Sequence, residues 1–331
     1  MGAETAASER RLSKIDFSDV NSSNPGTRSW AAVRARVMQA MESDGCFEAV
    51  YPRISSELRD SLFGTAMKEL FALPLETKLQ NICDKPFHGY LGQIPYLSYE
   101  SLAIMDAPFS YGAQSFTSLM WPSGNSTFCE TVQSFSEQVM ELEETVRRMV
   151  LESLGVEKYC VAQTESTRFL LRVSEYGAPQ GEEEKKLGLV PHRDKNTLAI
   201  VCQNQVDGLE IETKDGEWIP ATPSPASFIV IAGDAFRAWT NGRVYSPLHR
   251  IVVGGDTTRY SAIIFSIPKD EVVIQAPPEL VDEEHPSLFR PFLYNKYVHY
   301  CVSEEGMKVK CQLDSYCGVD AENLEKQGDE A

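Results

Sequence analysis

The stretch Gly-Leu-Val-Pro-His-Arg-Asp at residues 188–194 decides the fold that this sequence predicts. On an extended strand, side chains at positions i and i+2 point to the same side, so His192 and Asp194 face one interior while Arg193 faces outward. A further histidine, His249, lies 55 positions beyond Asp194. Two imidazoles and one carboxylate form the facial set that binds non-haem Fe(II) and leaves coordination positions open. The pattern therefore predicts an iron site.

The separation along the chain between the two parts of this set indicates the architecture around it. A gap of 55 residues leaves room for several strands, which suits a barrel-like double sheet in which His249 returns beside His192. Nitrogen and oxygen ligands together favour divalent iron over the thiolate sets of structural zinc. The alternative is that His192 is an ordinary buried or surface histidine, because a chain with five histidines can contain one His-x-Asp triplet by chance.

A second pair of polar residues follows the second histidine. Arg259 lies ten positions beyond His249, and Ser261 is again at i+2, so the guanidinium and the hydroxyl share one face of a strand. Arginine and a neighbouring hydroxyl are well matched to a carboxylate. A structural ion pair of Arg259 is the alternative. The order of these side chains along the chain favours an iron site beside a carboxylate site.

Four segments of the chain resemble the plant 2-oxoglutarate/Fe(II)-dependent dioxygenases, and the resemblance covers most of the chain, from Lys14 to Tyr300. The segments are 188–194, Asn241-Gly242-Arg243, Leu248-His249-Arg250 and Arg259-Tyr260-Ser261. The resemblance implies that the catalytic iron is bound by His192, Asp194 and His249. It also implies that Arg259 and Ser261 bind the distal carboxylate of 2-oxoglutarate, whose keto-acid end chelates the iron.

One upstream segment departs from the family pattern. Many members carry Asn-Tyr-Tyr-Pro where this chain has Ser174-Glu175-Tyr176-Gly177. Only the second tyrosine of that motif is retained, so the resemblance implies that Tyr176 is a further contact of 2-oxoglutarate, while a role for Ser174 is less supported.

The loop that begins at Lys85 is most similar to the branch of the family that includes the glucosinolate side-chain dioxygenases. Its glycines, aromatic residues and proline are typical of a shaped small-molecule pocket, although a buried connector that closes the core is an equal alternative. We expect the substrate pocket to be lined from this loop and from the end of the barrel, by His88, Tyr90, Ile94, Tyr96, Phe265, Phe289 and Leu293. The identity of the substrate does not follow from the resemblance.

The resemblance also implies the reaction. The protein is expected to use Fe(II), 2-oxoglutarate and O2, with ascorbate helpful in vitro, and to release succinate and CO2. Hydroxylation of a small molecule of plant specialised metabolism is the expected outcome, while desaturation, cyclisation and dealkylation stay open. Two alternatives remain: a related Fe(II) oxidase that does not use 2-oxoglutarate, and a metal-free barrel that binds small molecules.

Composition restricts the partners and the compartment. A net charge of -17 disfavours nucleic acid and anionic membranes, because both repel an acidic protein. No stretch approaches the roughly 18 apolar residues of a membrane span, and the N-terminus lacks the apolar run of a secretory signal. The eight cysteines do not show the paired short spacings of a disulfide framework, which indicates reduced thiols. Reduced thiols point to the cytoplasm. We expect a small-molecule substrate and no obligate protein partner.

The predicted fold is α+β, with a double-stranded β-helix (jelly-roll) core, an N-terminal helical extension and C-terminal helices. We expect an extension at 14–160, a catalytic core at 161–275, a helical cover at 276–317 and flexible tails at 1–13 and 318–331. Apolar spacing predicts helices at Trp30–Ser43, Ile54–Leu73, Glu130–Leu154 and Leu288–Tyr300. Alternation predicts strands at Phe169–Tyr176, Leu198–Gln203, Leu209–Glu212, Phe228–Ala232, His249–Val253 and Ser261–Ser266, with hairpin turns at Asp207-Gly208 and Asp215-Gly216.

Overall fold

Two β-sheets face each other in the computed structural model, which describes residues 10–179, 185–222 and 224–319. The strands are β1 (Lys14–Asp16), β2 (Cys46–Val50), β3 (Tyr99–Met105), β4 (Thr167–Tyr176), β5 (Lys185–His192), β6 (Leu198–Gln203), β7 (Leu209–Glu212), β8 (Trp218–Pro220), β9 (Ser227–Ala232), β10 (His249–Gly254), β11 (Arg259–Pro268), β12 (Val273–Ile274) and β13 (Phe292–Leu293). The large sheet has the order β1-β2-β9-β6-β11-β4-β3, and the small sheet has the order β5-β10-β7-β8. This is the predicted double-stranded β-helix, and the prediction is confirmed.

Helices cover the outer face of the large sheet and the C-terminal side of the core. They are α1 (Arg28–Ser43), α2 (Ser56–Asp60), α3 (Met67–Phe71), α4 (Leu75–Lys78), α5 (Ser110–Met120), α6 (Ser126–Ser153), α7 (Cys160–Glu165), α8 (Asp234–Trp239), α9 (Tyr294–Cys301) and α10 (Gln312–Cys317). A π-helical stretch, Ser61–Ala66, joins α2 to α3. Among the described residues, none of these helices combines the length and the apolar character that a membrane span requires.

The sequence of the two central strands explains where the core lies. Every residue of β6 and of β9 is buried, as expected for strands that are covered on both faces. Within β6, Ile200 packs with the helical layer, whereas Ala199 and Val201 point between the two sheets. This period of two separates an outer core under α6 from an inner core that borders the site.

Helix α6 supports the large sheet from outside. Its 28 residues bury an apolar stripe that includes Phe128, Phe135 and Leu142. The side chain of Asn125 caps its first turn by accepting a hydrogen bond from the backbone of Phe128 at 3.0 Å. Because the polar cap Asn125 lies outside the apolar pattern, the helix was predicted to begin at Glu130, four residues after its observed start at Ser126.

Six strands and two helices predicted from the sequence agree with the structure to within two residues at each end, but two local predictions are wrong. The N-terminal extension is helical as predicted, and it also contributes β1, β2 and β3 to the large sheet. The predicted helix at 288–300 is helical only from Tyr294, because Phe292 and Leu293 pair with β12. The Asp207-Gly208 turn is not a hairpin, since β6 and β7 belong to different sheets.

The turn at Asp215-Gly216 does join two paired strands, β7 and β8, as predicted. Gly216 has φ +83°, a left-handed conformation that glycine adopts without strain. The flexible tails predicted at 1–13 and 318–331 lie mostly outside the described residues. The domain boundaries predicted from the sequence stay a prediction.

Candidate active site

The two histidines of the predicted iron set meet at the edge of the small sheet. His192 ends β5, His249 begins β10, and the two residues are direct partners in the antiparallel pairing. Their ring centroids are 4.3 Å apart. Asp194 lies in the loop after β5, and its Oδ1 is 3.8 Å from Nε2 of His192 and 3.7 Å from Nε2 of His249. The prediction that His192 and Asp194 share one strand is wrong, but the three side chains do converge.

The backbone orients both imidazoles for metal binding. Nδ1 of His192 is 2.9 Å from the carbonyl oxygen of Val190, and Nδ1 of His249 is 3.4 Å from that of Pro247. When Nδ1 donates its proton to a carbonyl, Nε2 keeps a free lone pair, and in both residues Nε2 faces Asp194. The potential ligand atoms of the three residues all lie within 4.8 Å of one another.

The electrostatics of this group fit a bound divalent cation. Burial lowers the pKa of both imidazoles to about 4, and at His192 the neighbouring His249 adds to the effect. Both histidines are therefore neutral near pH 7, as metal ligation requires. Burial also raises the pKa of Asp194. A cation between the three side chains would supply the positive charge that this buried carboxylate needs.

A buried acidic residue that sequence reasoning missed holds the Asp194 loop. The backbone N–H of Asp234 donates to the carbonyl oxygen of Asp194 at 2.8 Å. The carboxylate of Asp234 accepts from Lys195 at 2.9 Å, from Ser246 at 2.9 Å and from Tyr297 at 2.7 Å. Although burial opposes its ionisation, Lys195 and these hydrogen bonds hold the pKa of Asp234 below its ordinary value. No signal in the sequence distinguished Asp234 from a helix-capping residue.

The predicted carboxylate site lies on two neighbouring strands of the large sheet. Arg259 on β11 is the direct partner of Tyr176 on β4, and Ser261 is the direct partner of Ser174. Arg259 is fully buried, yet only its Nη2 has a partner, the Oε1 atom of Gln203 at 2.5 Å. Its Nε and Nη1 atoms and the hydroxyls of both serines have no hydrogen-bond partner among the described residues.

Unpaired buried donors are costly, so a cluster of them indicates a ligand that completes the hydrogen bonding. A carboxylate would pair with the guanidinium of Arg259 and accept from the hydroxyls. Tyr176 packs against this guanidinium, with Cζ of Arg259 4.8 Å from the ring centroid. Burial raises the pKa of Tyr176, so its hydroxyl stays protonated. Arg259, Ser261 and Tyr176, which the sequence singled out, therefore lie together, and Gln203, which it did not, lies beside them.

The iron group and the carboxylate site open into one cavity of about 700 Å³. Of the predicted pocket residues, His88, Ile94 and Phe265 line it. The other four, Tyr90, Tyr96, Phe289 and Leu293, do not. Tyr90 donates to Glu100 instead, Tyr96 is 94% exposed, Phe289 packs in the C-terminal core, and Leu293 pairs in β13.

Several lining residues were not predicted. Arg172 on β4 reaches the cavity, and Tyr294, Cys301 and Gln312 border it from the C-terminal helices. The C-terminal segments therefore form part of the cavity wall. No periodicity or motif marks which residues of such a cover point inward.

Comparison with known proteins agrees with this geometry. Residues 168–268 match the 2OG-Fe(II) oxygenase superfamily, and residues 12–98 match the N-terminal family described as "non-haem dioxygenase in morphine synthesis". A probable 2-oxoglutarate-dependent dioxygenase of Arabidopsis thaliana, AOP1.2, is 46% identical, covering 92% of this chain and 95% of the relative. The chain belongs to the 2-oxoglutarate/Fe(II)-dependent dioxygenases. The family and the branch predicted from the sequence are confirmed.

A second Arabidopsis thaliana relative of this dioxygenase differs in length. The 2-oxoglutarate-dependent dioxygenase AOP2 is 35% identical and covers 89% of this chain and 95% of the relative. That alignment is 413 positions long although the chain has 331 residues, so AOP2 carries insertions that this dioxygenase lacks.

Two solved structures share the fold of this dioxygenase. The rice dioxygenase for auxin oxidation has a TM-score of 0.75 and 28% identity, covering 88% of this chain and 95% of its own. JOX2, solved with 2OG, Fe and JA, has a TM-score of 0.77 and 25% identity, covering 94% and 90%. The predicted oxidoreductase class and the predicted cofactors, Fe(II) and 2-oxoglutarate, are confirmed.

Proposed function

We propose that His192, Asp194 and His249 bind the iron of this dioxygenase, and that Arg259 and Ser261 bind the distal carboxylate of 2-oxoglutarate. The observation that carries this assignment is the set of unpaired buried donors at Arg259, Ser174 and Ser261, which shares one cavity with the converging triad. The triad matches the facial set of non-haem iron, and the donors match a carboxylate.

Each residue of the triad and of the co-substrate site has a defined role. The two neutral imidazoles and the carboxylate of Asp194 would hold the metal, in a ligand set that suits a 2-oxoglutarate-dependent iron centre. Arg259 and Ser261 fix the far end of the co-substrate, and Tyr176 packs against the guanidinium that does so. Iron with 2-oxoglutarate supplies the oxidising chemistry when bound. The remaining cavity wall decides which C–H bond of the substrate lies close to the metal.

The proposed reaction is hydroxylation of a C–H bond of the substrate. 2-Oxoglutarate, O2 and a C–H bond give succinate, CO2 and C–OH. One oxygen atom enters succinate and the other enters the product, while decarboxylation of the co-substrate supplies two electrons. Apolar side chains such as Ile263 and Phe265 line the cavity and would limit the water that surrounds a bound substrate.

The proposed substrate is a small organic molecule of plant specialised metabolism. A cavity of about 700 Å³, which must also hold 2-oxoglutarate, limits the substrate to a modest size. The rice structure is named for auxin oxidation and JOX2 was solved with JA, and both compounds are small molecules. We also propose the cytoplasm as the compartment, because all eight cysteines are free thiols, as a reducing environment favours.

The experiment that tests this function is succinate release from 2-oxoglutarate by the reduced, Fe(II)-loaded protein, with fractions of a plant small-molecule extract. We expect particular fractions to raise succinate in the wild type, and we expect Asp194→Ala to abolish the signal by removing the anionic ligand. His285→Ala is the control, since the exposed side chain of His285 contacts Asp282 and is not among the described residues that line the cavity. Wild-type succinate output from Asp194→Ala would overturn the iron assignment. Oxygen consumption that needs no 2-oxoglutarate would favour the oxidase alternative.

A further inference from the structure

A second buried arginine faces the cavity. Arg172 lies on β4 and is 6% exposed. It shares a strand face with Ser174 and Tyr176, at i+2 and i+4, and lines the cavity with both. The proposed co-substrate site does not use it.

The hydrogen bonds of Arg172 leave its charge without a counterion. The guanidinium donates to the hydroxyl of Ser101 at 2.7 Å, to the carbonyl oxygen of Gly89 at 3.4 Å and to the carbonyl oxygen of Phe87. All these acceptors are neutral. The buried Arg147 of α6 shows the contrast, since it pairs with Glu143 at 3.2 Å. A buried cation is stable when a paired anion offsets the cost of its desolvation.

The charges around the cavity are opposite to those of the whole chain. The net charge of the chain is -17, yet the lysine, arginine and acidic residues that line the cavity are five cations and one carboxylate among the described residues. The carboxylate is Asp194, which the proposed function assigns to iron. The cations are Arg172, Arg193, Lys195, Arg259 and Lys310. Lys195 is already paired with Asp234, and Arg259 is assigned to 2-oxoglutarate.

The two buried guanidiniums lie at different ends of the same strand surface. Arg259 opposes Tyr176 in the register, whereas Arg172 opposes Ile263, four residues away along each strand. At about 3.4 Å per residue, their Cα positions are separated by roughly 14 Å along the strand direction. Their guanidiniums also turn to opposite sides of the β11-β4 pair, since Arg172 donates to Ser101 on β3 whereas Arg259 donates to Gln203 on β6. These contacts favour two separate anion sites. Phe87, Ile263 and Phe265 line the cavity near Arg172.

From this geometry we propose that Arg172 binds an oxyanion of the substrate, either a carboxylate or a sulfate-type group, and so makes this dioxygenase selective for anionic substrates. The inference rests on the proposed function, because it requires 2-oxoglutarate at Arg259. The exposed Lys310 of the C-terminal segment adds positive charge to the cavity wall. A competing role for Arg172 is to fasten the loop at Phe87 and Gly89 without contacting the ligand.

A binding measurement with matched probes separates these roles. The protein is loaded with Mn(II) and saturating 2-oxoglutarate, which occupies Arg259, and titrated calorimetrically with phenylacetate and with the uncharged phenylacetamide. We expect the wild type to bind the acid at least about tenfold more tightly than the amide, as a charge-assisted contact predicts. Arg172→Gln should lose this preference while keeping its affinity for 2-oxoglutarate.

Two further variants control for loss of structure. Arg168→Gln removes an arginine of the same strand that pairs with Asp106, so it should keep the preference for the acid. Arg172→Lys should keep part of the preference, because the positive charge remains. Absence of any preference for the acid in the wild type, including absence of binding, would overturn the proposal, as would an unchanged preference in Arg172→Gln.

The natural substrate provides a second readout. Plant extract is separated on an anion exchanger, and we expect the material that stimulates succinate release to be retained by the resin and to be at least about tenfold less effective with Arg172→Gln. Elution with salt of graded strength separates carboxylates from sulfate-type anions. Stimulation confined to unretained material would overturn the proposal. Failure of the underlying function is distinguishable, because it abolishes the Asp194-dependent succinate signal in every fraction.

Discussion

The two ends of the cavity are built in different ways. At the Arg259 end, the binding groups lie on β4, β6 and β11, whose register places Tyr176 opposite Arg259 and Gln203 opposite Ser261. At the other end, which we call the mouth, the wall comes from Phe87, His88, Leu91 and Ile94 and from the segments that begin at Tyr294. Strand register fixes side chains to a fraction of an ångström, whereas loops vary without disturbing the sheet. The difference assigns the co-substrate to the strands, and selection of the substrate to the loops together with Arg172, the β4 residue that contacts the Phe87 loop.

The largest expected effect concerns the loop that carries Asp194. It tests whether this loop is held as firmly as the strands. Asp234→Ala removes the acceptor of Lys195, Ser246 and Tyr297 and leaves a mostly buried lysine without its anion. Breaking such a pair costs about 3 to 5 kcal/mol of unfolding free energy. Chemical denaturation of variant and wild type measures it. A loss below about 1 kcal/mol would mean that the Asp194 loop is not held by this network.

The same residue predicts a dependence on pH. Because the pKa of Asp234 in the folded protein lies below its ordinary value, ionised Asp234 stabilises the fold above the unfolded-state pKa near 3.8, and this stabilisation is lost as the pH falls through the folded-state pKa. We therefore expect the difference in melting temperature between wild type and Asp234→Ala to be constant near neutrality and to shrink below about pH 4. A difference that grows in acid would contradict the assigned charge state.

The next effect concerns the strand-built end directly. Arg259→Met should raise the KM for 2-oxoglutarate, because a charge-assisted contact contributes about 1.5 to 3 kcal/mol, which corresponds to roughly 10- to 150-fold. Succinate release at varied 2-oxoglutarate checks it. Arg250→Met is the matched control, since Arg250 pairs with Glu210 and stacks on Trp218. An unchanged KM in Arg259→Met would make Arg259 a structural residue.

The division between strands and loops also explains how much of the site could be predicted from the sequence alone. His192, Asp194 and His249 were singled out from a His-x-Asp triplet and a distant histidine, although the shared strand expected for the first two is wrong because Asp194 lies in the loop after β5. Register then brought Tyr176 to Arg259. Gln203 and Arg172 were missed although they lie on strands, because their roles depend on which strand is adjacent, and β6 and β3 reach that position only through the sheet order.

The loop residues were predicted least well. The stretch around Tyr90 was expected to line the pocket as a unit, but Tyr90 and Tyr96 turn away while His88 and Ile94 turn inward. Positive φ angles at Phe87, Gln93 and Tyr96 break the alternation that would allow such directions to be predicted. The N-terminal strands were missed for a different reason, since β2 pairs with β9 and β3 with β4, both far away along the chain.

The smallest effect expected among the strand residues concerns Gln203, which the sequence did not single out. Gln203→Leu removes the single hydrogen-bond partner of Arg259 among the described residues, so the guanidinium becomes less well oriented. One such hydrogen bond contributes about 1 kcal/mol, which predicts roughly a fivefold increase in the KM for 2-oxoglutarate. The same titration of 2-oxoglutarate measures it. An effect as large as that of Arg259→Met would mean that Gln203 itself contacts the co-substrate.

The weakest effect is expected at the mouth, and it tests the difference between the two ends of the cavity most directly. Tyr96 is 94% exposed and does not line the cavity, whereas the neighbouring Ile94 does. Exposed substitutions away from packing usually change stability by less than about 0.5 kcal/mol, so Tyr96→Ala should leave both succinate release and the KM for 2-oxoglutarate near wild type. Ile94→Ala should change the response to the stimulating extract fraction without changing that KM. If Ile94→Ala altered the KM for 2-oxoglutarate as strongly as Gln203→Leu, the mouth loop would take part in binding the co-substrate, and the division between strands and loops would not hold.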